Sequence, residues 1–229
     1  MAIHTHPLLY RLQRLNELGI ALSAERDPDK LLEEILRGAI SLSHADGGTL
    51  YLLDEAQLRF SIVITQSLNI FTGGTSGKPV GIPPLPLYDA QGEPHLTTIA
   101  VHAALKRITL HVSDTYGNSE FDFSRVKAFD RAFGYRTHSL LAVPLIDHQN
   151  DVIGVLQLIN ALDNEGKPRI FSSSDAHLAE SLASQAAVAL TNRRLIDAQK
   201  ALFDAVIEMI ATAIDEKSPY TGGHCRRVP

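Results

Sequence analysis

Between Asp175 and Lys217 the chain carries neither glycine nor proline. Such a stretch, roughly 43 residues, predicts one helix about 65 Å long. Ser172, Ser173, Ser174 and Asp175 offer N-caps at its start. Pro219 and the Gly222-Gly223 pair end it. From Leu178 to Leu190 the pattern is apolar nearly all round: Leu178, Ala179, Leu182, Ala183, Ala186, Ala187, Val188, Ala189, Leu190. A helix apolar on all sides is buried on all sides, which predicts its own domain on one face and a second copy of the chain on the other. Beyond Asn192 the helix turns amphipathic and a heptad can be written. One seam line is Leu182, Ala189, Ile196, Phe203 and Ile210; the other is Leu178, Gln185, Asn192, Gln199 and Val206. Three polar residues seven apart weaken a coiled coil but fix its register, which suits a signalling connector. The alternative is a long helix packed on its own domain, with no dimer.

The remaining length, out of 229 residues, allows one domain of about 150–170 residues with helical extensions. With 45% hydrophobic and 21% charged residues the composition is that of an ordinary globular chain. Net charge is −5 and both signs are interspersed, so no basic stripe points to nucleic acid. No apolar run of about 18 residues and no signal peptide is present, which predicts a cytoplasmic protein without a membrane segment. The single cysteine, Cys225, rules out an intrachain disulfide.

Taken in order, residues 6–24 predict a helix with Leu8, Leu12, Leu15, Gly19 and Leu22 on one face. Asp27-Pro28 supplies an N-cap and first-turn proline for a second helix reaching about Ser43. Asp46-Gly47-Gly48 reads as a turn before strands 49–54 and 58–66, joined by a short hairpin. Residues 72–79 read as a loop; 82–88, with three prolines, as at best an edge strand. A helix at 97–106, a strand at 108–112 and a polar loop at 115–124 follow. Arg125–Phe133 predicts a helix with Val126, Phe129 and Phe133 on its apolar face, stopped by Gly134. Strands at 139–146 and 152–160 are mostly apolar, as expected at a sheet's centre. The sum is an α+β layer fold: a six-stranded antiparallel sheet covered by helices, with long N- and C-terminal helices. The expected divisions are a dimerisation helix at 1–24, a sensor domain at 25–174, an output helix at 175–217 and the start of a further domain at 218–229.

This order, with the strings Ala45-Asp46-Gly47-Gly48-Thr49-Leu50-Tyr51-Leu52, Ser139-Leu140-Leu141-Ala142-Val143-Pro144-Leu145 and Val152-Ile153-Gly154-Val155-Leu156-Gln157-Leu158-Ile159-Asn160, resembles a GAF domain over roughly residues 25–195. That resemblance implies a small-molecule sensor that dimerises through flanking helices. Cyclic-nucleotide-binding members carry Asn-Lys, then Phe, then Asp-Glu. Asn160, Phe171 and Asp175 match, but Ala161 and Ala176 replace the lysine and glutamate, so the family's Lys–Asp ion pair is absent. Asn160 and Asp175 can equally be a turn residue and a helix cap.

The tail, Ala213-Ile214-Asp215-Glu216-Lys217-Ser218-Pro219-Tyr220-Thr221-Gly222-Gly223-His224-Cys225-Arg226-Arg227-Val228, resembles the opening of an HD-GYP domain, a family of metal-dependent cyclic di-GMP phosphodiesterases. The resemblance implies that His224 is a metal ligand in a longer protein, that iron or manganese sits in the missing catalytic domain, and that no cofactor resides in the present chain.

A ligand pocket is expected between the sheet and the segments 66–78 and 95–125, where polar residues interrupt apolar strands. Thr49, Tyr51, Gln66, Ser139 and Gln157 are its candidate lining, with Ser113 and Asp114 ending a strand where a loop could close, and Asn160 from the family signature. A cyclic nucleotide is the candidate ligand, and the period-2 polar residues could equally face solvent. His102 and His111 could ligate a haem if they faced one pocket. Gly73–Lys78 lacks phosphate-loop spacing. The functional expectation is a regulatory sensor that sets dimer geometry for a phosphodiesterase. The alternatives are a ligand-free dimerisation module and hydrolase activity in the chain itself.

Overall fold

The computed structural model describes residues 7–217. Six strands form one antiparallel path in the order β3-β2-β1-β7-β6-β5: β1 (Ala45–Asp54), β2 (Gln57–Thr65), β3 (Ile70–Gly73), β5 (Leu110–Val112), β6 (Leu140–Ile146) and β7 (Val152–Leu162). Two short strands are appended, β4 (Leu85–Pro86) to β2 and β8 (Pro168–Arg169) to β7. The helices are α1 (Pro7–Ala24), α2 (Pro28–Ser43), α3 (Ile99–Lys106), α4 (Ser124–Phe133) and α5 (Ser173–Lys217). The expected α+β fold, with its six-stranded path and long terminal helices, is therefore the one observed.

Local chemistry sets the element ends. The Asp27 carboxylate accepts from the N–H groups of Asp29 and Lys30 at 2.9 and 3.2 Å, with Pro28 in the first turn of α2. Gly47-Gly48, expected as a turn, lies instead inside β1. A Cβ on Gly47 would stand 2.4 Å from the Ile64 carbonyl oxygen, and one on Gly48 2.6 Å from that of Gln157. The glycines let two neighbouring strands approach, which is a strand role for residues usually read as a turn. In α4 the expected face is only partly covered: Val126 and Phe129 are half-buried, Phe133 is exposed, and the fully buried residue is Asp130.

One face of the sheet is sealed by α1, α2 and the first half of α5. Leu50, Ile62, Leu141, Leu156 and Leu158 of the sheet join Leu15, Leu18 and Leu22 of α1, Ile35, Leu36 and Ala39 of α2, and Leu178, Leu182, Ala183 and Ala186 of α5 in one core. The α1 face thus differs from expectation: Leu18 is buried and Leu12 exposed. The all-round apolar stretch of α5 finds its partners within the same chain, because α1 and α2 cover what the sheet does not. Leu182 is fully buried there, and a Cβ on Gly38 of α2 would touch both Leu18 and Leu182. The second copy expected on that face is not what buries it. Val188 is the exposed exception.

The start of α5 is fixed by a buried charge. Ser172 and Asp175 cap it reciprocally: the Ser172 hydroxyl accepts from the Asp175 N–H at 3.2 Å, and the Asp175 carboxylate accepts from the Ser172 N–H at 2.8 Å. Asp175 has no exposed surface, and Arg11 of α1 and Arg169 of β8 each approach it to 2.6 Å. Burial alone would raise its pKa. The bonds from Arg169, Ser172 and Arg11 outweigh that and hold it at about 2. The missing lysine is thereby replaced. Ala161, at the lysine position, is the β-ladder partner of Arg169, so the cation reaches Asp175 from the adjoining strand.

From Thr191 onward α5 forms a separate unit. Leu195, Ile196, Leu202, Phe203, Val206, Ile207, Met209 and Ile210 are all exposed on it. Among the described residues no helix is long and apolar enough to cross a membrane.

Two stability outcomes follow from the packing. Leu182→Ala should lower the unfolding free energy by about 2–5 kcal/mol in urea titrations, because Leu182 belongs to the domain's own core, whereas Ile196→Ala should leave the domain's stability unchanged. A depressed carboxylate stabilises above its unfolded pKa and loses that contribution as pH falls through the folded one. The wild type should therefore lose on the order of 2 kcal/mol between about pH 4 and pH 2 through Asp175. Asp175→Asn should be weaker at neutral pH and show a flatter acid profile, read as urea midpoints at pH 5, 3.5 and 2.5.

Candidate functional site

The other sheet face is covered less evenly. Its core holds Tyr51, Leu58, Leu140, Ala142 and Val155 from the sheet, with Val101 and Ala104 of α3 and Phe121 and Phe123 of the following loop. Side chains alternate across a strand and directly paired residues share a face. The register therefore puts Leu110, Ala142, Gln157, Thr49, Val63 and Thr72 in one transverse row across all six strands. Ala142 is buried, but Gln157, Thr49, Val63 and Thr72 are only half-buried. A row at the middle of a sheet normally disappears under packing. Here it keeps two hydrogen-bonding side chains, Thr49 and Gln157, side by side and reachable.

Tyr51 lies two residues along the same face and is buried. Burial raises its pKa well above the ordinary tyrosine value, with Thr49 and Arg125 pulling more weakly the other way. Its phenol is thus neutral, and the Arg125 charge at the start of α4 lies within electrostatic reach of this face. Val126 of α4 packs against the same core. The half-buried Thr49 and Gln157 thus offer a hydroxyl and a carboxamide beside apolar surface, with the Arg125 charge nearby, groups that suit a small polar ligand with a flat apolar part.

Of the residues expected at the site, Thr49, Tyr51 and Gln157 come together. Gln66 does not. It is exposed just past β2 and lines two clefts beside α2, one of about 450 Å³ with Arg37, Ile40 and Phe71, and one of about 930 Å³ with Arg14, His44 and Asp163. Ser113 and Asp114 are exposed beyond β5, where an Asp114 carboxylate oxygen accepts from the Tyr116 N–H at 3.0 Å and shapes the loop. Ser139 is buried and donates to the Arg169 carbonyl at 2.7 Å. Asn160 is buried with every polar position used. Its Oδ1 accepts from the His138 and Ser139 N–H groups at 2.6 and 3.3 Å, and its Nδ2 donates to the Tyr135 hydroxyl and the Arg136 carbonyl, both at 2.8 Å. The two residues hold the protein together and leave nothing for a ligand. His224 lies outside the described residues. His102 packs against Phe121 on this face and His111 against Phe171 in the opposite core, so they do not share a pocket for haem.

Several buried polar residues escape a reading of the sequence. Asp46 accepts from the Tyr135 and Ser67 hydroxyls, each at 2.6 Å. Burial, then the Asp46 carboxylate, pushes the Tyr135 pKa up, so this bond keeps its proton. Asp130 accepts from the Thr137 N–H and hydroxyl at 2.9 Å each and from the Tyr116 hydroxyl at 3.0 Å. The signal for Asp130 was present: it falls in helical phase with Val126 and Phe133.

Comparison with known proteins places this architecture. The sequence profile of the GAF domain matches residues 27–190. The dual 3',5'-cyclic-AMP and -GMP phosphodiesterase 11 of Drosophila melanogaster is 33% identical over 101 residues, which is 44% of this chain and 6% of that protein. The chain thus spans only a small part of that relative's length. Among solved structures, the GAF domain of a phosphoenolpyruvate-protein phosphotransferase from Coxiella burnetii superposes with a TM-score of 0.62 at 14% identity, covering 83% of this chain and 98% of that one. A free methionine-R-sulfoxide reductase from Neisseria meningitidis, solved with its substrate, gives 0.57 at 18% identity, covering 86% and 96%. These two likenesses concern the fold. With the profile spanning most of the chain, the chain belongs to the GAF domain family.

Proposed function

We propose that this chain is a regulatory sensor that takes a small ligand against the Thr49–Gln157 row and passes the result to α5. The observation that carries this reading is the pair of half-buried polar side chains, Thr49 and Gln157, side by side at the centre of a sheet face that is only partly covered. Burying polar groups there without partners costs free energy, so a ligand that hydrogen-bonds both side chains and covers Val63 is favoured. A cyclic nucleotide fits that description: a flat base for the apolar floor, and an anionic phosphate for the Arg125 charge. The similarity to a cyclic-nucleotide phosphodiesterase supports this ligand class. Calorimetry with cyclic AMP, cyclic GMP and cyclic di-GMP tests it. One of the three should bind, and Gln157→Ala and Thr49→Val should each weaken it about tenfold, the effect of losing one or two ligand hydrogen bonds. Absence of binding by all three would remove the cyclic-nucleotide reading.

The output we assign to a homodimer formed by the second half of α5, controlling a metal-dependent phosphodiesterase domain of which 213–228 resemble the opening. The exposed apolar residues Ile196, Phe203 and Ile210 carry the dimer part. They keep one seam of the heptad, whereas Leu182 and Ala189 of the same line are occupied by the domain. Each apolar side chain removed from water contributes roughly 1.5–3 kcal/mol, and the polar Asn192 and Gln199 fix register. Light scattering should give twice the chain mass for the wild type and the single mass for the Ile196→Glu, Ile210→Glu double variant, with unchanged circular dichroism of the sensor domain.

A further inference from the structure

We infer that α4, above the candidate ligand face, is tied to the start of α5 by one continuous run of buried and half-buried hydrogen bonds, in which Ser139 and Asn160 are the positioning residues. The sensor reading above supplies only the reason for α4 to move. The connection belongs to the chain without ligand.

The run begins in α4. Among its side chains only Asp130 is fully buried, while Val126 packs half-buried against the core below, so the one buried polar anchor point of α4 is Asp130. That point is the bond set from Asp130 to Thr137 and Tyr116. Gly134 then closes the helix in the left-handed region at φ 62°, with its N–H on the Asp130 carbonyl. The segment 135–139 that follows is gripped by the Asn160 carboxamide at four points: the Tyr135 hydroxyl, the Arg136 carbonyl, and the His138 and Ser139 N–H groups. Asn160 itself has φ 51°, a conformation that asparagine adopts more readily than most residues. From here the Ser139 hydroxyl bonds the Arg169 carbonyl. The Arg169 guanidinium donates to the Leu162 carbonyl at 3.0 Å and to Asp175 at 2.6 Å. Asp175 caps α5 and receives Arg11, which also donates to the Leu42 carbonyl at the end of α2.

The side chains of Asp130, Ser139, Asn160 and Asp175 in this run are buried and hydrogen-bonded. Releasing one leaves its partner unpaired in low dielectric, which costs more than the bond contributes when made. A displacement of α4 that pulls on Asp130 is therefore passed through Thr137 and the 135–139 segment to Ser139, and on to the charge that anchors α5. Alternative routes through the sheet core are stiff: Leu140, Leu141, Ala142, Leu156 and Leu158 are fully buried and close-packed.

Hydrogen exchange on the full chain, without ligand, tests this. Asp175→Asn loosens the α5 end of the run. It should accelerate exchange at the amides of Thr137 and His138, across the domain, by about tenfold, within the range of measured site-to-site couplings. Ser139→Ala cuts the run in the middle, so Asp175→Asn made in that background should no longer affect Thr137 and His138. Acceleration confined to α1 and the first turns of α5 would overturn the proposal. Equal acceleration everywhere, Val143 and Leu156 included, would overturn it too, since only global stability would then be shared. Should Asp175→Asn not fold, Arg169→Lys keeps a cation and loses the fork, and the same two outcomes decide. Ligand calorimetry is independent of this result.

Discussion

A carboxylate with no exposed surface, Asp175, is the constraint around which the domain closes. An isolated buried charge is prohibitively costly, so its partners must be in place whenever the domain is folded. Those partners come from far apart in sequence. Arg11 lies 164 residues away on α1, and Arg169 sits on a two-residue strand at the sheet's edge. Satisfying one charge thus fixes α1, the edge of the sheet and the first turn of α5 at a single point. It also explains how the chain tolerates alanine at position 161. A charge requirement can be met from a neighbouring strand as long as the cation reaches the same oxygen.

The two faces of the sheet divide the work. The face toward α1, α2 and α5 is sealed mainly by aliphatic side chains. It is a packed and rigid layer, as dense interiors are. The face toward α3 and α4 is sealed at one end by Phe121, Phe123 and α3, and left half-open along the Thr49–Gln157 row. A helix that fully buries one side chain and half-buries a few others is held less firmly than one that buries a whole stripe. The asymmetry gives the domain one densely packed side against the start of α5 and one side with reachable polar groups.

Past Thr191 the physical situation changes. The helix continues to Lys217 with large apolar side chains in solvent and ion pairs such as Arg193–Asp197 between successive turns. Exposed apolar stripes of this size mark interaction surfaces. The first part of α5 is thus spent on the domain's core and the second part keeps its apolar side chains in solvent, a division that falls close to where Asn192 interrupts the apolar pattern.

Much of the architecture was legible in the chain because local rules decided it. Asp27-Pro28 started α2, the absence of Gly and Pro kept α5 continuous, and apolar periodicity marked the strands. The strings shared with GAF domains, Ala45–Leu52 and Val152–Asn160, named the fold. Periodicity reports that a face is buried, however, and not what buries it. That is why Leu178–Leu190 read as half of a dimer when α1 and α2 of the same chain cover it. Local pattern also could not separate the polar strand residues. Thr49 and Gln157 stay reachable, while Ser139 and Asn160 are consumed by internal bonds, and only the register and the path of segment 135–139 distinguish them. The pairing of Asp175 with Arg11 and Arg169 was hidden for the same reason: a charge's partner is set by distance in space, which the sequence leaves open until the fold brings α1, β8 and α5 to one point.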